Sequence, residues 1–153
     1  MKRLLLKLAI TATVGSLLSS NPTFSQVLPP AEKAARVEIT QGPALELAHD
    51  DLAIIRWTTN NPGGSDDHFG VVHYGTNPKN LSQSANSQIR LNRGHAETIF
   101  RVRVSGLKPR TTYYYRVTSM ESNGKSDGVE SPVKQFSTPG SGERIVAYPA
   151  AAR

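Results

Sequence analysis

Leu107-Lys108-Pro109-Arg110-Thr111-Thr112-Tyr113 sets a rigid turn between an apolar plug and an aromatic strand. Pro109 fixes φ at the turn. Leu107 is placed to close the end of a hydrophobic core, and the Tyr113 hydroxyl can bond backbone at the corner. From Thr112 to Met120 the chain then alternates. Tyr113, Tyr115 and Val117 fall on one side and Tyr114, Arg116 and Thr118 on the other, the period of a half-buried β-strand.

Outward from this corner the same short period recurs. Downstream, Asn123-Gly124 is a hairpin turn, and Val133–Thr138 reads as a closing strand with Phe136 inward. Upstream, Thr98–Val104 places Phe100, Val102 and Val104 on one face and Ile99, Arg101 and Arg103 on the other. Leu52–Thr59 does the same with Ala53, Ile55 and Trp57 against Arg56 and Thr58. Further strands are expected at Val37–Thr40, closed by Gln41-Gly42-Pro43, and at Phe69–Tyr74. Weaker edge segments fall at Leu81–Ala85 and Gln88–Leu91, followed by a turn at Asn92-Arg93-Gly94. No stretch from Arg36 to Thr138 carries a helical period. The pattern predicts an all-β, seven-stranded, two-sheet immunoglobulin-like sandwich over residues 36–139.

The ends differ in character. Met1-Lys2-Arg3 precedes an apolar run through Leu18, and Thr23-Phe24-Ser25 offers small residues for cleavage before Gln26, so residues 1–25 read as an export signal. Lys7 and the Thr, Ser and Gly content of the run argue against a membrane helix, which needs about 20 continuous apolar residues. The alternative is an uncleaved anchor. No stable membrane insertion is expected after cleavage. Residues 26–35, with Pro29-Pro30, read as a linker and residues 140–153 as a flexible tail.

Removing residues 1–25 lowers the formal charge from +6 to +3. A nucleic-acid partner is not indicated, because such domains carry a denser basic stripe. The chain has no cysteine, so its stability must come from packing.

Leu107–Tyr113 resembles the L-x-P-x-T-x-Y corner of fibronectin type III domains, and Trp57 lies on the strand where that fold places its core tryptophan. The resemblance implies a structural core of Trp57, Leu107, Pro109, Tyr113, Tyr115 and Phe136. A closer resemblance is to the N-terminal domain of purple acid phosphatases. Trp57-Thr58-Thr59 is similar to that family's W-x-T, and Val72-His73-Tyr74-Gly75 to its V-x-Y-G. Leu107 through Val117 is similar to its corner strand, and Phe136-Ser137-Thr138-Pro139 to its closing F-x-T-P. In those enzymes a separate domain holds two metal ions through motifs such as D-x-G, G-D-x-x-Y, G-N-H-E and G-H-x-H. None of these occurs here. The expectation is therefore a non-enzyme with no catalytic residues, metal site or cofactor.

The four histidines, His49, His68, His73 and His95, show no ligand spacing on one face. Asp66-Asp67-His68 groups acids with an imidazole; a divalent ion there is weighed against a solvated polar loop, which is expected. Two sheet faces are candidate interaction surfaces. Arg56 should lie beside Arg101 and Arg103, a guanidinium group suited to carboxylates or phosphates, against the plainer reading of arginines that keep a sheet soluble. Phe69, Val71 and His73 should lie beside Tyr114 and Arg116 as a partly apolar outer face, against that of a half-buried sheet. The expected function is a non-catalytic interaction module, secreted or periplasmic, using a sheet face or the Asn60–Asp67 loop to hold an unknown protein or an acidic glycan. The alternatives are an accessory or relic domain of a purple acid phosphatase and a structural spacer.

Overall fold

The computed structural model describes residues 33–91 and 94–147. The expected signal, the linker as far as residue 32, Asn92-Arg93 and residues 148–153 lie outside the described residues. The described chain is all β, with strands β1 (Ile39–His49), β2 (Leu52–Asn60), β3 (Asp67–Gly75), β4 (Gln83–Arg90), β5 (Glu97–Ser105), β6 (Thr112–Glu121), β7 (Ser126–Glu130), β8 (Lys134–Ser137) and β9 (Arg144–Val146). One sheet has the order β5-β2-β1-β9; the other has β4-β3-β6-β7, with β8 also paired to β6. Every pairing is antiparallel. Among the described residues no helix is long and apolar enough to cross a membrane.

Nine strands replace the expected seven, and each difference has a local cause. The first strand does not stop at Gly42-Pro43. Gly42 adopts φ +84°, where a Cβ would come within 2.9 Å of the Arg56 carbonyl oxygen. The chain bulges there and rejoins the ladder at Ala44 opposite Arg56. The two weak edge segments are one continuous strand, β4, whose Ala85, Ser87 and Ile89 are half-buried. The expected closing strand is β8, and an unexpected strand, β7, precedes it; Pro132, with no N–H to give the ladder, lies in the break between them. The Ser131 hydroxyl bridges the break by accepting from Val117 N–H at 3.0 Å, and Ser131 N–H donates to the Val117 carbonyl at 3.0 Å. The stretch after Gly140, read as flexible tail, contributes β9, whose Val146 pairs with Leu47 and Arg144 with His49.

The core lies between the sheets. Ala53, Ile55 and Trp57 of β2 and Phe100, Val102 and Val104 of β5 meet Val72 and Tyr74 of β3 and Tyr113, Tyr115 and Val117 of β6. Trp57 stacks on Phe100 with centroids 5.1 Å apart. Gly70 makes room for that stack, since a Cβ there would lie 2.7 Å from the Phe100 ring.

The corner brings the two separated motifs together. Lys108 N–H donates to the Tyr113 hydroxyl at 3.0 Å. The Thr138 hydroxyl accepts from Thr111 N–H at 3.0 Å and donates to the Lys108 carbonyl at 2.6 Å. Arg110 N–H reaches the Pro139 carbonyl, and Phe136 packs against both Tyr113 and Tyr115. Leu107 seals the end of the core. Replacing Tyr113 by phenylalanine keeps the ring and removes the Lys108 N–H acceptor. The expected loss is about 1 kcal/mol of stability in urea unfolding.

Candidate functional site

On the outer face of the first sheet the antiparallel register sets Arg56 directly opposite Arg101, and Ile54 opposite Arg103. Arg101 is engaged in a bidentate ion pair with Glu46, with Nε 2.9 Å from Oε2 and a second contact from Nη2 to Oε1. Glu46 reaches it because β1 bulges between Leu45 and Leu47. Arg103 Nε donates to the Ser105 hydroxyl at 3.1 Å. The three arginines are thus brought together as expected, but they share their face with a carboxylate.

This face is more apolar than the alternation of its strands implies. Leu47, Ile54, Ile99 and Val146 line a shallow groove of about 510 Å³ with Glu46, Arg56 and Arg101. Ile99 is 49% exposed and Val146 61%. Ile99 was visible as an outward residue of its strand. Val146 was hidden because a three-residue strand leaves almost no period to read.

On the outer face of the second sheet, Phe69, Val71 and His73 lie beside β6, with His73 opposite Arg116, Val71 opposite Thr118 and Tyr114 opposite Gly75. The five predicted residues share this face. Their neighbours largely cover it: Val71 is buried, and Phe69, His73, Tyr114 and Arg116 are half-buried. Arg116 is ion-paired with Glu130, and His73 Nε2 lies 3.1 Å from the Thr118 hydroxyl.

Burial, and then the Arg116 charge, hold the His73 imidazole below its ordinary pKa of 6.5. The neutral ring is therefore favoured in the folded state. That stability is present above pH 6.5 and is lost as pH falls through the folded value. His73→Gln is expected to reduce the drop in urea midpoint between pH 7 and pH 5.

His68 corrects the expectation of a solvated Asp66-Asp67-His68 loop. Its side chain is fully buried, with Nε2 3.1 Å from Oδ1 of Asp127, a carboxylate from β7 that is itself nearly buried. Asp66 turns away to Lys33 at 3.4 Å. The Asn60–Asp67 loop is engaged in structure. The Asn60 side chain accepts from Glu38 N–H and donates to the Arg36 carbonyl, and Ala34 N–H donates to the Asn61 carbonyl at 2.7 Å. Residues 33–35, read as linker, are tied down by these contacts. Among the described residues no group of three or more His, Cys, Asp or Glu side chains could share a metal ion.

Two antiparallel sheets closed over a Trp57–Phe100 core and a Tyr113 corner define a fibronectin III-like β-sandwich domain. The chain belongs to the family of the purple acid phosphatase N-terminal domain, whose family model matches residues 40–138. The match is to that N-terminal domain, and no catalytic domain is evident. Similar solved structures include two of the sensor domain of the anti-sigma factor RsgI4 in Pseudobacteroides cellulosolvens. A short form shares 22% identity over 71% of this chain and 99% of its own, with a TM-score of 0.49. The solution structure shares 21% over 76% and 89%, also at 0.49. The third fibronectin III domain of human KIAA0343 protein shares 16% over 88% and 98%, at 0.34. No curated protein matches the sequence.

Proposed function

We propose that this chain is an exported, non-catalytic interaction domain that docks a partner through the outer face of its first sheet. The groove between Ile99 and Val146 carries the proposal. Of the four large hydrophobic side chains exposed among the described residues, these two flank one groove, with Leu47 and Ile54 beside them. Contiguous apolar exposure on a folded domain is a feature of interaction sites.

Lack of catalysis is supported by chemistry. Ser119, His68 and Asp127 supply the residue types of a hydrolytic trio. Ser119 and His68 are buried, so no substrate carbonyl or phosphoryl group can reach the serine. Export to the periplasm or cell exterior rests on the signal-like character of Met1–Ser25.

A second reading, an accessory domain serving a separately encoded phosphatase, is favoured by the family membership. One experiment addresses both. The full chain and its Ile99→Ser/Val146→Ser variant are used as bait against envelope extract, and retained proteins are assayed for metal-dependent phosphatase activity. A partner held by the natural chain and lost by the variant supports docking through this face. Co-retained phosphatase activity identifies the accessory role. Equal retention by both baits overturns the assignment of the face.

A further inference from the structure

We infer that the partner surface taken by the first sheet is an acidic polypeptide segment that also carries apolar side chains. This rests on the docking reading above and specifies its chemistry. The groove presents two kinds of contact at once. Its apolar strip favours burial of aliphatic side chains, and the guanidinium groups beside it favour carboxylates. Arg56 and Arg101 line the groove, and Arg103 stands next to Ile54 across the ladder. Glu46 is the one carboxylate in the groove, and Arg101 already engages it in bidentate fashion. Glu97, two residues from Ile99, accepts from the Thr40 hydroxyl at 3.0 Å. By formal charge, the three arginines of this face outnumber the two carboxylates, Glu46 and Glu97.

That excess decides between occupants. A second copy docking by a two-fold axis would set the same face against itself, bringing one arginine-bearing patch up to another. Like charges juxtaposed at an interface disfavour such pairing. An acidic glycan would satisfy the arginines and leave Ile99 and Val146 in water. Only a segment with both acidic and aliphatic side chains uses the whole face. A strand-like segment suits it when acidic and aliphatic side chains both fall among its every-second positions, since only those positions face the sheet.

The test is fluorescence anisotropy with the full chain and three labelled ten-residue peptides. In each, pairs of residues alternate, so that both kinds fall on one side of a strand: glutamate pairs with leucine pairs, glutamate pairs with serine pairs, and lysine pairs with leucine pairs. The glutamate–leucine peptide is expected to bind at least tenfold more tightly than either control and to weaken several-fold between 50 and 300 mM salt. Arg56→Ser/Arg103→Ser and Ile99→Ser/Val146→Ser are each expected to weaken it about tenfold, with urea midpoints confirming that both variants fold. Equal binding of the glutamate–serine peptide would assign a plain anion site and overturn the inference. Equal binding of the lysine–leucine peptide, lost in Ile99→Ser/Val146→Ser and indifferent to the arginines, would overturn the acidic partner while leaving the docking face intact. No binding by any peptide would overturn both.

Discussion

Trp57→Ala is expected to destabilise the domain by about 3–5 kcal/mol. A domain of this size has roughly 5–15 kcal/mol in total, so the variant should sit near the edge of folding at 37 °C. The size of the effect follows from what surrounds the ring. Trp57 is 1% exposed and stacks on Phe100 from the neighbouring strand, and its far edge lies over Gly70 in the opposite sheet. The ring therefore contributes to both sheets at once, and an alanine there leaves a cavity that neither rigid sheet can close. Trp57 is the single tryptophan, so the measurement is urea unfolding followed by far-UV circular dichroism rather than fluorescence. A loss under 1 kcal/mol would mean that the sheets do not meet around this residue.

Asp127→Ala should cost about 1–3 kcal/mol, because it leaves a fully buried imidazole without its polar partner. Replacing both His68 and Asp127 by leucine should recover most of that loss, since a buried pair exchanged for apolar groups is often near neutral. The pH dependence separates this pair from an ordinary surface contact. Burial raises the Asp127 pKa, with Glu121 adding to the rise, and outweighs the favourable effects of His68 and Ser119. A raised carboxyl pKa contributes stability fully present below the unfolded value of about 3.9 and lost as pH rises through the folded value. Asp127→Asn should therefore lack this component. Its urea midpoint should change less from the natural acid limb to pH 7. An unchanged profile would place Asp127 in solvent.

The parts of the fold that were legible in the sequence are those where one physical rule acts alone. The alternation in Leu52–Thr59 and Thr98–Val104 places Trp57, Phe100, Val102 and Val104 inward because a single buried face dictates period two. The Leu107–Tyr113 corner was readable because proline and tyrosine do fixed jobs there, and its counterpart Phe136–Pro139 meets it through Thr138. The missed elements are those where two rules compete. β1 runs through a glycine–proline pair that normally ends a strand, and the bulge at Gly42 rescues it. β7 has few apolar side chains and is held largely by Val129 and by Asp127 reaching His68. That contact spans 59 positions, and no local pattern announces it.

The candidate faces were legible to the same extent. Strand register put Arg56 beside Arg101 from alternation alone. The Glu46 carboxylate that neutralises Arg101 depends on a bulge, and Val146 depends on a three-residue strand, so neither could be placed in advance. On the second face, register sets His73 opposite Arg116, while the ion pair of Arg116 with Glu130 depends on β7, which no local pattern announces.

The assignment of docking to the first sheet is tested most directly by amide chemical-shift mapping of the isotopically labelled chain titrated with the glutamate–leucine peptide. The expected result is a contiguous set of perturbed amides at Leu47, Ile54, Arg56, Ile99 and Arg101, with those of Phe69, Val71 and His73 unmoved. Perturbations gathered on the Phe69–His73 face, or none at saturating peptide, would contradict it.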